Sequence, residues 1–238
     1  MGGGKLGVKK GKSKRPILIT GCARSGTSIT AGIIEFCGAF GGDVTGPTPH
    51  NKKGQFENKT VRDKIVKPYL RSIGADPLGQ HPVPNTNNLK IDIYWQSRLI
   101  ETMKQQGYRN GDWFYKGAKM CLFWPQWHFA FPKARWVIVR RDDDEIAESC
   151  MKTGFMRSYK NKSGWQKWID HHKQCFQEMK EAGLNTVEVW PSKVVRGDFT
   201  EMKEAITHIG LQWKPDVIQD FIDPRLWNTA KRRRRNNG

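Results

Sequence analysis

At 238 residues, with 37% hydrophobic and 11% aromatic content, the chain is long enough for one sizeable core, and its composition excludes a collagen-like, low-complexity or disulfide-scaffold protein. The formal charge of +18 is concentrated at the ends, because residues 1–15 supply six Lys/Arg without an acid and residues 231–235 supply five more, leaving +7 for the body. A moderately basic body suits anionic ligands, and the organisation expected is a basic disordered arm over 1–15, a single domain over 16–228 and a basic tail over 229–238.

Pro16 to Ser28 opens the chain's first regular stretch: an apolar run of strand type breaks at Gly21 into a small-residue loop and then enters a helical run, Ile29 to Cys37. The spacing Gly21-x4-Gly26, followed by Thr27 and Ser28, is that of a phosphate-cradling P-loop. There, glycines let backbone N–H groups converge on an oxyanion and the helix N-terminus adds its partial positive charge. A nucleotide triphosphatase needs lysine at position 27, where this chain has threonine; the long cation of the loop is Arg24.

Gly38 to Gly54 is glycine-rich, contains two prolines and His50, and reads as a surface loop near the mouth of the phosphate loop. From about Asn58 to Ile73 the apolar residues keep helical spacing, and a second helix over Ile91 to Gln106 is expected to bury Ile93, Leu99, Ile100 and Met103. Trp113-Phe114-Tyr115 reads as a short strand delivering Lys116 and Lys119, ahead of an aromatic helix from Cys121 to Phe131 that carries His128. Arg135 to Val139 is the most strand-like run; it ends in Arg140-Arg141-Asp142-Asp143-Asp144, after which Ile146, Ala147, Cys150 and Met151 mark a helix. A tryptophan-bearing helix over Gly164 to Ala182, a strand over Thr186 to Trp190 and a helix over Phe199 to Ile209 complete the pattern. Strands alternating with helices predict an α/β fold, a parallel sheet flanked by helices on both faces, with ligands outside the carboxyl ends of the strands.

Cys22, Cys37, Cys121, Cys150 and Cys175 show no CxxC spacing and read as reduced core thiols. The N-terminus has no apolar signal region and no window of 18 apolar residues occurs, so a soluble, cytoplasmic protein without a membrane span is expected. The adjacent His171-His172 pair reads as surface rather than as a metal site, and no metal is expected.

The second cationic constellation is Arg141 with Ser149, eight residues on across a strand-to-helix junction, where fork and hydroxyl together suit one dianionic group. Together, Thr-Gly-Cys-Ala-Arg-Ser-Gly-Thr-Ser (20–28) and Val-Ile-Val-Arg-Arg-Asp-Asp-Asp-Glu-Ile-Ala-Glu-Ser (137–149) resemble the two signatures of sulfotransferases that use 3′-phosphoadenosine-5′-phosphosulfate. Phe56-Glu57-Asn58, the strand-end Lys116 before an aromatic helix, and the late Gly-Leu-x-Trp extend the resemblance over roughly residues 16–215. It implies a P-loop NTPase-like sulfotransferase fold. It also implies that Ala23, Arg24, Ser25, Gly26, Thr27 and Ser28 meet the 5′-phosphosulfate, and that Arg141 and Ser149 hold the 3′-phosphate. Asp143 stands where that family usually has proline, Lys116-Gly-Ala-Lys119 replaces a more usual Lys-x-Pro, and no Arg-Lys-Gly segment follows near the C-terminus.

The activity implied is sulfuryl transfer to a hydroxyl or amine of a small-molecule or carbohydrate acceptor. Arg24 and Lys116 are then the catalytic cations and Glu57 the first candidate base, ahead of His50 and His128. Glu57 reads equally as a helix-start carboxylate, and Lys116 and Lys119 as solvated charges. A small-molecule P-loop kinase with Asp142 as magnesium ligand is the competing enzyme, and nucleic-acid binding through the basic tails the competing class.

Overall fold

The computed structural model describes residues 15–48 and 51–227; the basic arm before Arg15, the tail after Trp227 and His50 lie outside the described residues. Four strands, β1 (Ile17–Gly21), β2 (Phe114–Lys116), β3 (Arg135–Val139) and β4 (Thr186–Val189), form one sheet in the order β2-β1-β3-β4. All three pairings are parallel, with Ile17 level with both Phe114 and Arg135, and Trp136 level with Thr186. The expected α/β architecture is therefore present.

Side-chain alternation explains why both faces need helices. Leu18, Tyr115, Trp136 and Ile138 point into one core, whereas Ile17, Ile19, Phe114, Val137 and Val139 point into the other, so each strand is apolar on both sides. The first core is covered by a helical run, α2 (Lys59–Val61), a π turn (Arg62–Val66) and α3 (Lys67–Ser72), with α4 (Trp95–Gln105), the 3₁₀ segment Ala118–Phe123, α5 (Trp124–Ala130) and α7 (Lys162–Glu181). The second is covered by α1 (Thr27–Phe36), α9 (Thr200–His208) and α10 (Pro215–Phe221). α6 (Asp143–Met151) packs on α7 around Ile146, Ala147, Trp165 and Ile169, and α8 (Pro191–Val195) follows β4.

Several local readings change. The helix expected over 91–106 begins only at Trp95, because Asp92 is bonded through its backbone to Gln126 and through its side chain to the Tyr94 N–H; Ile93 is thereby left 67% exposed instead of buried. The helix before it passes through its π turn just ahead of Pro68, which has no N–H to continue a regular ladder. His172 is fully buried rather than on the surface: its Nδ1 lies 2.8 Å from the Trp168 carbonyl oxygen, so that nitrogen carries the proton, and burial lowers the pKa to about 3. All five cysteines are buried and free, and burial pushes the Cys150 thiol up to about 12. No helix among the described residues is long and apolar enough to cross a membrane.

Candidate active site

The strand order places a switch point at β1: the chain leaves β1 for β2 on one side and returns across it to β3 on the other. The loops after β1 and β3 therefore open into the same crevice. Backbone crowding dictates the first of them. A Cβ on Gly21 would lie 2.5 Å from the Val139 carbonyl oxygen, so only glycine lets the loop leave β1 beside β3. Arg24 (φ 75) and Gly26 (φ 102) then take left-handed backbone, and α1 starts at Thr27. The first intrahelical donor is Thr30 N–H, to the Gly26 carbonyl at 3.3 Å; the N–H groups ahead of it have no carbonyl one turn back.

Arg141 follows β3 and Ser149 lies on α6, and both converge on the first loop. Arg24 Nε donates to Ser149 Oγ at 3.0 Å, and Arg141 Nη1 donates to the Arg24 carbonyl at 2.8 Å. Arg141 is nearly buried, donates from Nε to Glu145 Oε2 at 2.8 Å and stacks on Trp227 with its guanidinium 4.5 Å from the ring centre. Partial burial of the Arg24 guanidinium, with the Arg141 charge beside it, lowers its pKa from the ordinary value. Two guanidiniums held this close favour an anion between them.

A cavity of about 340 Å³ joins the two motifs, lined by Arg24, Gly26, Thr27, Ser28, Arg141 and Ser149. Of the residues expected to meet the donor, Ala23 and Ser25 are not on its wall; the Ser25 hydroxyl is buried behind the loop without a hydrogen-bond partner among the described residues. The wall also includes Lys52, Lys53, Arg225 and Trp227. Lys52 and Lys53 lie in the loop expected near the mouth, but a lysine pair in a surface loop gives no signal of its own. Arg225 and Trp227 carried no signal, because the chain beyond Gly210 shows too little apolar periodicity to be placed.

Asp143 is the first residue of α6, a position that tolerates proline and favours an acid, so the departure from proline leaves the turn intact. Asp142 caps that helix by accepting from the Glu145 N–H at 3.0 Å. This structural duty accounts for the carboxylate that a kinase would give to magnesium.

Glu57 and Lys116 stand apart from the cavity wall, in a second charged group. Glu57 Oε2 lies 3.7 Å from Arg62 and 4.0 Å from Lys116 Nζ, and all three side chains are largely buried. Glu57 does not cap the following helix; Asn58 does, accepting from Val61 N–H at 3.1 Å. Lys116 ends β2, beside β1, through Gly117 N–H donating to the Ile19 carbonyl at 3.0 Å. Burial lowers its pKa, Glu57 opposes this, and the Arg62 and Arg24 charges add to the lowering. Lys119 is lowered for the same first cause and donates to the Pro77 carbonyl at 3.1 Å. Neither lysine is a freely solvated charge. His128 packs against Trp124, 6.3 Å between ring centres, and lines no part of the cavity.

Among known families, the sulfotransferase domain matches residues 115–212, which holds Lys116, Arg141 and Ser149 but not the loop at 20–28. The crystal structure of a sulfotransferase from Mycobacterium tuberculosis H37Rv aligns over 87% of this chain and 70% of its own, at 11% identity and a TM-score of 0.43. No curated protein matches the sequence.

Proposed function

We propose that this chain, with its sulfotransferase-domain match over residues 115–212, moves a sulfuryl group from 3′-phosphoadenosine-5′-phosphosulfate to a hydroxyl or amine of a small-molecule or carbohydrate acceptor. The observation that carries the reading is the single cavity on whose wall Arg24, Gly26, Thr27 and Ser28 meet Arg141 and Ser149. Two anion sites in one cavity suit a nucleotide with phosphate at both its 5′ and 3′ positions. The residues fit: cations dominate the cavity wall, and the first N–H groups of α1 have no carbonyl one turn back.

Arg24 and the first N–H groups of α1 hold the 5′ end, and Arg141 and Ser149 hold the 3′-phosphate. The donor supplies the sulfuryl group; its bridging S–O bond breaks as a bond forms from sulfur to the acceptor oxygen or nitrogen. Arg24, with Lys116 at the neighbouring strand end, receives the negative charge left on the bridging oxygen. Glu57 takes the acceptor's proton, and an acceptor reaching it has to compete with Arg62 and Lys116 for the carboxylate.

Calorimetry with 3′-phosphoadenosine-5′-phosphate and with ADP tests the donor. The 3′-phosphate is expected to tighten binding by about tenfold or more, the scale of one charge-assisted contact, and equal affinities would overturn the reading. Transfer is also expected to persist in EDTA, since arginines neutralise the charge; a strict need for added magnesium would favour the kinase.

A further inference from the structure

The cavity wall includes a turn that the two phosphate motifs do not contain. Thr48 and Asn51 exchange two backbone bonds, at 2.9 and 3.0 Å, and the Gly54 N–H donates to the Asn51 carbonyl at 3.1 Å, so Asn51–Gly54 is a β-turn with Lys52 and Lys53 as its central pair. The turn has a fixed base. The Gln55 and Phe56 N–H groups both donate to the Thr45 carbonyl, at 2.9 and 3.0 Å, and the Phe56 ring packs 6.3 Å from Phe36 and 5.6 Å from Phe221, which itself lies 5.0 Å from Phe36. Gly54 has left-handed backbone (φ 102), and a Cβ there would stand 3.2 Å from the Phe56 ring, so glycine is what lets the turn close down on that ring.

The cations on the wall are not equally committed. Arg225 donates to both oxygens of Asp223, at 2.9 and 3.0 Å, and Arg141 donates to Glu145 Oε2 at 2.8 Å, so a carboxylate offsets each of these charges. Asp223, the one acid on the wall, is held at a pKa of about 2 first by its bond from Arg225, and Lys53 adds only a minor part. Lys52 is exposed and has no hydrogen bond or ion pair among the described residues. The Lys53 ammonium lies 3.5 Å from the Asp220 carbonyl oxygen and 5.9 Å from the centre of the Phe221 ring. One carbonyl takes one of its three N–H groups at most, and the other two have no partner among the described residues.

A 3′-phosphate alone carries about −1.5 to −2 near pH 7, and the phosphosulfate adds to it, more than Arg24 and a carboxylate-paired Arg141 neutralise. An ammonium meets such a group as a compact point charge, without the planar fit that an arginine requires. We propose that Lys52 and Lys53 clamp the bound nucleotide through its phosphates, Lys53 making the stronger contact because its side chain already lies against the wall and Lys52 the weaker one. This rests on the donor reading above and adds to it a turn that lies outside the matched segment, residues 115–212.

The test is calorimetric titration of the full chain with 3′-phosphoadenosine-5′-phosphate. Lys53→Gln, which removes the charge, is expected to weaken binding about tenfold and Lys52→Gln about threefold, with the double variant weaker than either; Lys53→Arg and Lys52→Arg, which keep the charge, are expected to stay within about twofold of wild type. Raising the ionic strength from about 0.05 to about 0.5 M is expected to shrink the gap between wild type and the glutamine variants, since a contact at an open wall is screened. Unchanged affinity in the double glutamine variant, or equal losses in the glutamine and arginine variants at both ionic strengths, overturns the inference and leaves the donor reading standing. Wild-type protein that binds 3′-phosphoadenosine-5′-phosphate and ADP alike overturns the donor reading instead. If the Lys53 variants fail to fold, the exposed Lys52 decides alone: its glutamine variant is expected to lose affinity that its arginine variant keeps, and no difference between them overturns the inference.

Discussion

The two charged groups at the strand ends are built on opposite plans. On the wall of the cavity of about 340 Å³ the cations Arg24, Lys52, Lys53, Arg141 and Arg225 stand with a single acid, Asp223. Around Glu57 the charges are largely spent on one another: Arg62 donates twice to Asp63 at 3.0 Å and lies 3.7 Å from Glu57, and Lys116, 4.0 Å from Glu57, is largely shielded from solvent. The first plan leaves positive charge for an anionic ligand; under the proposed function the second holds the proton acceptor beside a cation. A substrate can be held tightly on the open side, whereas the closed side contributes only when an acceptor displaces part of the pair.

Substitutions can break this contrast, and the largest effect is expected on the closed side. Glu57→Gln keeps volume and removes the base, so kcat should fall by about 10²- to 10⁴-fold while calorimetric nucleotide affinity is unchanged. Full turnover in that variant would remove Glu57 from the chemistry. Next comes Arg24→Ala, which removes a donor from the oxygen that gains charge as the S–O bond breaks; kcat should drop by roughly 10²- to 10³-fold with a smaller rise in KM. A pure KM effect would make the loop a docking site and shift the catalytic cation to Lys116. Arg141→Ala removes a fork from a phosphate whose charge does not change during transfer, so it should weaken nucleotide binding by about tenfold to a hundredfold and leave kcat near wild type.

The smallest effect concerns pH. Lys116 and Lys119 have pKa values below the ordinary 10.5 because burial penalises their charge, and Glu57 offsets the penalty in both. Between the folded and unfolded pKa values the unfolded chain binds more protons, so these lysines make stability rise with pH in the window below 10.5. Glu57→Gln lowers both pKa values further and widens that window. Its melting temperature should fall most near pH 7 and approach wild type as the pH nears the lysines' ordinary value; a deficit independent of pH would show that Glu57 does not support the lysines.

How far the sequence revealed this arrangement depended on whether the signal was local. β3 carries five consecutive buried residues and could be bounded to the residue, and the two loop glycines answer local demands, a Cβ clash with the Val139 carbonyl at Gly21 and left-handed backbone at Gly26. Arg141 and Ser149 were legible because strand, turn and helix follow without interruption. The register of Ile93 was not, since it is fixed by the Asp92 to Gln126 bonds across 34 positions, and the burial of His172 depends on the tertiary packing of α7 as much as on its helical phase. Trp227 was invisible for a related reason: its position comes from Phe221 seated between Phe36 and Phe56, contacts made by residues far back in the chain.

The bond from Arg24 to Ser149 spans 125 positions, and the one from Arg141 to the Arg24 carbonyl spans 117. Contacts of such range form only after the intervening chain has been gathered and β3 has seated beside β1, which makes them late and entropically expensive events in folding. A nascent chain that has exposed its glycine loop therefore has no pocket to offer. A nucleotide bound as proposed would meet its site only on the completed sheet, so its free energy would be added after the folding barrier, slowing escape from the native state without hastening arrival there.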